Sequence, residues 1–278
     1  MTEFPGRGRV AAGLSVLLLA AGAAQSATTL AVQVSLAGQE NWQTSLNAFP
    51  GASVDVRVLV SYQGSAAPLG FAFTSYQPTL SNWHATDTLG PLVNNGWGGQ
   101  QTTPIGAVQD APGQYGRIIP YAFSNIPENN RVIGHINTVS GTTYLRVAQR
   151  QVTSWFGGTG NTSGGSGVTA WQLSDQGRTA STPAFSPALV NVTLFKFKVQ
   201  LSSTEVGRTL HVDIPAAGIS NGRNNGQPYV AWFQSMSEPV GSLLEVPSVV
   251  TASINLLPSP GTLLLLAPLA VVQRRRRG

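Results

Sequence analysis

His84 and Asp87 stand three residues apart in the run Trp83-His84-Ala85-Thr86-Asp87. That spacing lets an acid orient an imidazole for proton transfer, but general acid–base work also needs a nucleophile or bound substrate within hydrogen-bond reach. No nucleophile motif accompanies the pair, so the sequence assigns it a structural or surface role. His135 and His211 lie far from it, and none of the three histidines falls in a His-Glu-x-x-His or comparable ligand spacing. Glycoside hydrolysis would draw two carboxylates from Glu40, Asp87, Asp110, Glu128 and Asp175. Their separation in space decides that chemistry, and sequence does not supply it. No Asp-x-Asp-x-Asp-Gly calcium loop is present, and the absence of cysteine excludes disulfides and thiolate metal sites. The expectation is a chain with no cofactor, no metal and no catalytic constellation.

Two other stretches invite a ligand. Gly157 to Gly167 is rich in glycine, but it lacks the Gly-Lys-Ser/Thr of a P-loop and the strand, helix and ribose-binding acid of a dinucleotide site. Its glycines are better explained by a tight surface loop or by close packing under Trp155 and Trp171. Trp83 and Trp97 lie in a polar central stretch, with Asn94, Asn95 and Gln100 available as hydrogen-bond partners. An exposed indole there would stack on a sugar ring, which makes Trp83 and Trp97 the candidate ligand-binding residues. The simpler alternative is that both rings pin a long loop onto the domain through their large apolar area.

The elements that would carry these residues read as strands. Val54, Val56, Val58 and Val60 alternate with Asp55, Arg57 and Leu59 across Ser53 to Tyr62, which predicts one core face and one partly wet face. Thr29 to Leu36 alternates in the same way, and Leu69 to Tyr76 is the expected partner of Ser53 to Tyr62, reached through the loop Gln63 to Pro68, with Phe71 and Phe73 on one side. In Leu189 to Leu201 the faces are Thr193, Phe195, Phe197, Val199 and Leu201 against Leu194, Lys196, Lys198 and Gln200, the lysines serving solubility. Gly207 to Ile214, Tyr229 to Phe233 and Val249 to Ile254 complete the set. Arg131 to Ile136 and Thr143 to Val152 meet at Ser140-Gly141 as a hairpin, although Leu145, Ala148 and Val152 also fit helical spacing. Ser81 to Asn130 is a long loop-rich excursion in which short strands can hide. About eight to ten strands without a long amphipathic helix predict an all-β fold, a β-sandwich, over residues 28–257.

The Pro-Gly-x-x-Val-x-Val-x-Val pattern from Pro50, followed by Gly-Phe-x-Phe-x-x-Tyr-x-Pro from Gly70 to Pro78, resembles the opening strands of cohesin-type jelly-roll sandwiches over about residues 49–80. Gln77 stands where that family often has Asp. The resemblance implies a jelly-roll or cohesin-like topology.

The two ends read as addresses. Arg7 and Arg9 precede an apolar run from Val10 to Ala24, and Ala24-Gln25-Ser26-Ala27 supplies small residues, the layout of a cleaved signal peptide over residues 1–27. At the other end Pro258, Ser259, Pro260 and Gly261 precede an apolar segment from Leu263 to Val272 and the block Arg274, Arg275, Arg276 and Arg277. Ten apolar residues are half of the roughly 20 that a spanning helix needs, and Pro268 interrupts them, so transient insertion with the arginines inside is expected. Residues 258–278 resemble the PEP-CTERM sorting signal of exported bacterial proteins, with Ser259 in the place of its Glu. That resemblance implies a C-terminal sorting helix and processing by an exosortase-like enzyme. The Leu-Pro-x-Thr-Gly signal is also similar, but Pro260 occupies the position of its Thr.

These ends distort the charge. The chain has 16 Lys and Arg against 11 Asp and Glu. Arg7, Arg9, the four terminal arginines and Glu3 all fall outside residues 28–257, which are formally neutral, so no nucleic-acid partner is expected. The sequence reading is therefore an exported, cell-surface or matrix β-sandwich with a structural or adhesive, non-enzymatic role. Its partners would be signal peptidase and an exosortase-like enzyme. A carbohydrate-binding module contacting extracellular polysaccharide is the first alternative, and an extracellular hydrolase the second.

Overall fold

A computed structural model describes residues 27–90, 110, 112–118, 120–121, 132–148, 167–177, 179, 183–215 and 227–258. The valine alternation of Ser53–Tyr62 forms β3, the centre of the first sheet. Its neighbours are β1 (Thr28–Leu36) and β11 (Val192–Gln200), both antiparallel to it. The order of this β1 sheet is β15-β1-β3-β11-β6, with β7 also paired to β11. Here β6 is Thr88–Gly90, β7 Gly116–Arg117 and β15 Ser248–Val250.

A four-stranded β4 sheet has the order β10-β4-β13-β14. It consists of β4 (Gly70–Tyr76), β10 (Val168–Trp171), β13 (Tyr229–Phe233) and β14 (Leu243–Glu245). The third, β12 sheet has the order β2-β16-β12-β5-β9-β8. Its strands are β2 (Ser45–Ala48), β5 (Thr79–Ser81), β8 (Ile133–Val139), β9 (Thr142–Ala148), β12 (Thr209–Asp213) and β16 (Ala252–Leu256). Chain leaving β4 crosses from the second sheet to the third through Gln77-Pro78.

One continuous core draws on all three sheets: Val32, Val56 and Phe197 from the first, Phe71 and Trp232 from the second, Leu80, Leu145 and Ile254 from the third. The β1 sheet thus faces the other two in a sandwich. Alternation produces this directly, because a period of two places every second side chain on the buried face. The sequence-based all-β sandwich is what the structure shows.

Several local expectations are corrected. Leu69 to Tyr76 does not pair with Ser53 to Tyr62: β3 lies between β1 and β11, while β4 lies between β10 and β13 in another sheet, so the chain changes sheet across Gln63 to Pro68. Phe71 and Phe73 lie on opposite faces, because the register between β4 and β13 shifts at Ala231/Trp232 and leaves Ala72 as an extra residue. Phe71 meets the Trp232 ring edge-on inside, while Phe73 stacks on Tyr229 outside. A second bulge between Thr193 and Phe195 sets Thr193 opposite Leu59 and Phe195 opposite Val58, so Thr193 leaves the Phe195 face and Leu194 is buried. Such an inserted residue reverses the alternation beyond it. The stretch Val249 to Ile254 is two strands in two sheets, broken at Thr251. Residues 142–148 form a strand, and the loop-rich excursion contains β6 and β7. The expected sorting helix lies outside the described residues. Among those residues no helix is long and apolar enough to cross a membrane.

Candidate functional site

Asp87 is buried and fully engaged: its carboxylate accepts from the His84 amide at 2.8 Å, the Ser202 amide at 2.8 Å and the Arg208 guanidinium. The His84 imidazole turns elsewhere, Nδ1 to the Thr86 hydroxyl at 2.9 Å and Nε2 toward Glu205 at 3.5 Å. No imidazole–carboxylate dyad exists between His84 and Asp87, since the backbone amide and not the ring faces the acid. That carboxylate instead ties the loop before β6 to the loop after β11.

Glu40 and Asp110 do converge, but on a cation. The Lys196 ammonium is 3.7 Å from Glu40 and 3.2 Å from Asp110, and the lysine side chain is 1% exposed. The shared ammonium fills the space a hydrolytic pair would keep for substrate. Asp175 is exposed on a short 3-10 turn, and Glu128 lies outside the described residues. His135 is on β8 and His211 on β12. Among the described residues no group of three His, Asp or Glu can hold a metal. Trp83 is 3% exposed and belongs to the core, so its indole presents no ring face to a sugar. Trp97 lies outside the described residues, as do Ser259, Pro260, Gly261 and Arg274 to Arg277; Pro258 ends the described chain. At Gly167, the described end of the glycine-rich loop, a Cβ would stand 2.3 Å from the Tyr76 carbonyl oxygen. Backbone packing explains that glycine without a phosphate.

The outward face of the first sheet is partly wet, as expected: Ala31, Gln33, Arg57 and Lys198 are half-buried, while Asp55 and Lys196 are buried. Trp42 lies over this face with the Arg57 guanidinium 4.4 Å and the Lys196 ammonium 5.9 Å from its ring centroid. Arg57 donates two hydrogen bonds to Gln33, at 2.9 and 2.7 Å. Desolvation lowers the Arg57 pKa, and Asp110 and Glu40 oppose that shift. Beside it Tyr115 donates to buried Asp55 at 2.9 Å, and Asp55 also accepts from the Gly38 amide at 3.1 Å. Burial first, and then the bond to Asp55, push the Tyr115 phenol well above its ordinary range. Lys196 therefore serves packing and ion pairing, while solubility falls to other residues.

The outward face of the β4 sheet is different. The bulge at Ala72 turns Phe73 outward, beside Tyr229, Ala231 and Phe233 of β13 and Trp171 of β10. These residues floor a groove of about 500 Å³, walled by Leu173 on one side and Pro239, Val240 and Leu244 on the other. Gly241 is required where the β13–β14 connection crosses the floor, since a Cβ there would meet the Ala72 Cβ at 2.5 Å and the Trp232 carbonyl at 2.7 Å. The opposite wall is held by Gln172, whose amide donates to the Phe71 and Ser186 carbonyls and accepts from the Ser186 amide. None of the lining residues is charged, and on the rim Val240 and Leu244 are 65% and 58% exposed.

Sequence reasoning missed this groove. Its residues are scattered from Ala72 to Leu244 and individually look like core. The available signal was Tyr229-Val230-Ala231-Trp232-Phe233, apolar at both alternations, which announces a strand with both faces covered.

No protein-family model matches the chain, and no curated protein matches it. Among solved structures, a cohesin from a scaffoldin of Acetivibrio cellulolyticus, crystallised with a dockerin, is similar at 15% identity and a TM-score of 0.28, over 82% of this chain and 98% of that one. A type III cohesin module from a cell-surface anchoring scaffoldin of Ruminococcus flavefaciens is similar at 11% identity, TM-score 0.32, over 84% and 88%. A type I cohesin from Pseudobacteroides cellulosolvens is similar at 8% identity, TM-score 0.33, over 84% and 93%.

Proposed function

We propose that this chain is an exported, non-enzymatic adhesive module that binds a protein partner through the groove on the β4 sheet. The observation that carries the reading is the uncharged groove with its exposed aliphatic rim. Isolated exposed apolar residues are ordinary, but a contiguous apolar concavity is a feature of interaction sites. Covering Val240 and Leu244 contributes about 1.5–3 kcal/mol each before the costs of association.

The arrangement favours protein over sugar. Sugar stacking needs a free ring face, whereas Phe73 and Tyr229 stack on each other with centroids 5.3 Å apart, and Phe233 meets Phe185 at 5.8 Å. The most exposed side chains of the lining, Val240 and Leu244, are aliphatic, suited to the apolar side chains of a partner segment. Export rests on the charged, apolar and small-residue order of residues 1–27. Sorting to the surface or matrix by an exosortase-like enzyme rests on Pro258 to Gly261, the apolar segment and Arg274 to Arg277.

The test compares the full chain with a Val240→Asp/Leu244→Asp variant for retention on envelope material from its own cells. Expected: retention is lost in the variant and after protease digestion of the envelope, and survives periodate oxidation of its glycans. Periodate-sensitive retention that resists protease and is abolished by Trp171→Ala would replace this reading with carbohydrate binding.

A further inference from the structure

Lys196 is a buried primary amine held between two carboxylates from distant parts of the chain. Its Nζ lies 3.2 Å from Asp110 Oδ1 and 3.7 Å from Glu40 Oε1. The β7–β11 ladder sets Gly116 opposite Lys196, so the chain that follows Asp110 is fixed alongside β11. Contact with Oδ1 puts the Asp110 carboxyl carbon one covalent bond further on, within reach of the nitrogen after a small rotation of the carboxyl. Glu40 is held in a different way. Its Oε2 accepts from the Trp42 indole at 3.4 Å, which leaves Oε1 to the amine. Its backbone sits at φ 53°, a strained conformation for a residue with a side chain and one that gathers at working sites.

An amine and a carboxyl group condense only from their neutral forms, and an ion pair is one proton transfer away from them. Taking such a pair out of water costs desolvation, and an amide in its place carries no charge to desolvate. Fixed proximity supplies what two free molecules would lack, since the translational and rotational cost of the encounter has already been met by folding. The charges that remain also balance. Arg57 faces both Asp110 and Glu40, so the cluster holds two cations and two carboxylates. Condensation removes one of each and leaves Arg57 as the counter-charge of Glu40. Asp110 is exposed on its far side, which gives the released water a way out.

We propose that Lys196 and Asp110 condense into an intramolecular amide, with Glu40 carrying the protons. One proton passes from the Lys196 ammonium to the Asp110 carboxylate. The Nζ lone pair then attacks Cγ and the C–N bond forms. Glu40 takes a proton from the nitrogen and passes it to the departing hydroxyl, which leaves as water when the C–O bond breaks. Glu40 ends as it began, and no oxidant, cofactor or outside reagent is consumed. The product ties β11 to the loop before β7. A chain without cysteine has no disulfide to do this, and a crosslink between residues so far apart in sequence restrains the unfolded chain. The proposal is independent of the groove and of export.

The experiment is intact-mass measurement and peptide mapping of the full chain produced in a bacterial host, with its two ends assigned from terminal peptides. The parent is expected to be lighter than its assigned sequence by one water, and its digest to contain a branched peptide joining the segment that bears Asp110 to the one that bears Lys196. Lys196→Met and Asp110→Ala should each show the full mass. In freshly synthesised chain, Glu40→Gln should slow the loss of water by about a hundredfold or more. A parent of full mass without the branched peptide would overturn the proposal. A water deficit that persists in Lys196→Met would assign the loss to a cyclic imide and overturn it equally. Bond formation at the parent rate in Glu40→Gln would refute the proton-carrying role. The branched peptide is read from the parent itself, so the result does not depend on how well any variant folds.

Discussion

The outward faces of the two sheets that meet at Trp232 solve the same problem in opposite ways. On the β1 sheet, charged residues point outward and are overlaid from within the chain, Asp55 and Lys196 fully and Arg57 and Lys198 in part: Trp42 lies over Arg57 and Lys196, Tyr115 over Lys198 and Asp55. On the β4 sheet, apolar residues point outward, yet the aliphatic rim at Val240 and Leu244 stays open. A covered polar face spends its residues on stability. An open apolar face adds little to stability and leaves area for a partner. If this contrast is correct, substitutions on the first face should change melting and substitutions on the second rim should change binding.

The largest expected effect is on the covered face. Asp55→Ala strands the Tyr115 hydroxyl and the Gly38 amide and should cost about 3 kcal/mol. That lowers the melting temperature by roughly 6–12 °C at this domain size, measurable by calorimetry. Next, a double-mutant cycle of Trp42→Ala with Arg57→Met should return a coupling of about 1–2 kcal/mol. Zero coupling would mean that Trp42 only overlies this face.

On the open face, Val240→Asp and Leu244→Asp should leave stability within about 0.5 kcal/mol of the parent while binding is lost. Phe73→Ala should affect both, because it removes the ring stacked on Tyr229 and the floor of the groove. A rim substitution that melts the domain like Asp55→Ala would erase the contrast.

The smallest effect is at alkaline pH. The Tyr115 phenol is raised in the folded state, so its contribution is complete below the ordinary tyrosine pKa of about 10 and declines as pH rises above it. Melting temperature should therefore fall above about pH 10. Tyr115→Phe should show a shallower fall from a lower starting stability, recorded as melting temperature against pH.

Much of the fold was legible because alternation is a geometric signal. Ser53 to Tyr62 and Tyr229 to Phe233 were read with the bounds the structure shows. The bulges at Ala72 and Leu194 were not, since an inserted residue leaves no compositional mark and its effect depends on the partner strand. Val249 to Ile254 was read as one strand because nothing local to Thr251 reports that the chain changes sheet. The burial of Lys196 was hidden for a related reason: Glu40, Asp110 and Trp42 reach it from other parts of the sequence. The groove was the least legible feature. Its residues resemble core until Ala72 shifts the register and turns Phe73 outward, and Trp83, which looked available for a ligand, is core.

The most direct test of the open-face account is site-specific photo-crosslinking of the full chain in its own envelope, from position 244 and, as a control on the β12 sheet, from exposed Asn47. A discrete protein adduct from position 244 that is absent from position 47 and lost with Val240→Asp is the predicted result. No adduct at 244, or the same adduct from both positions, would contradict a partner seated in the groove.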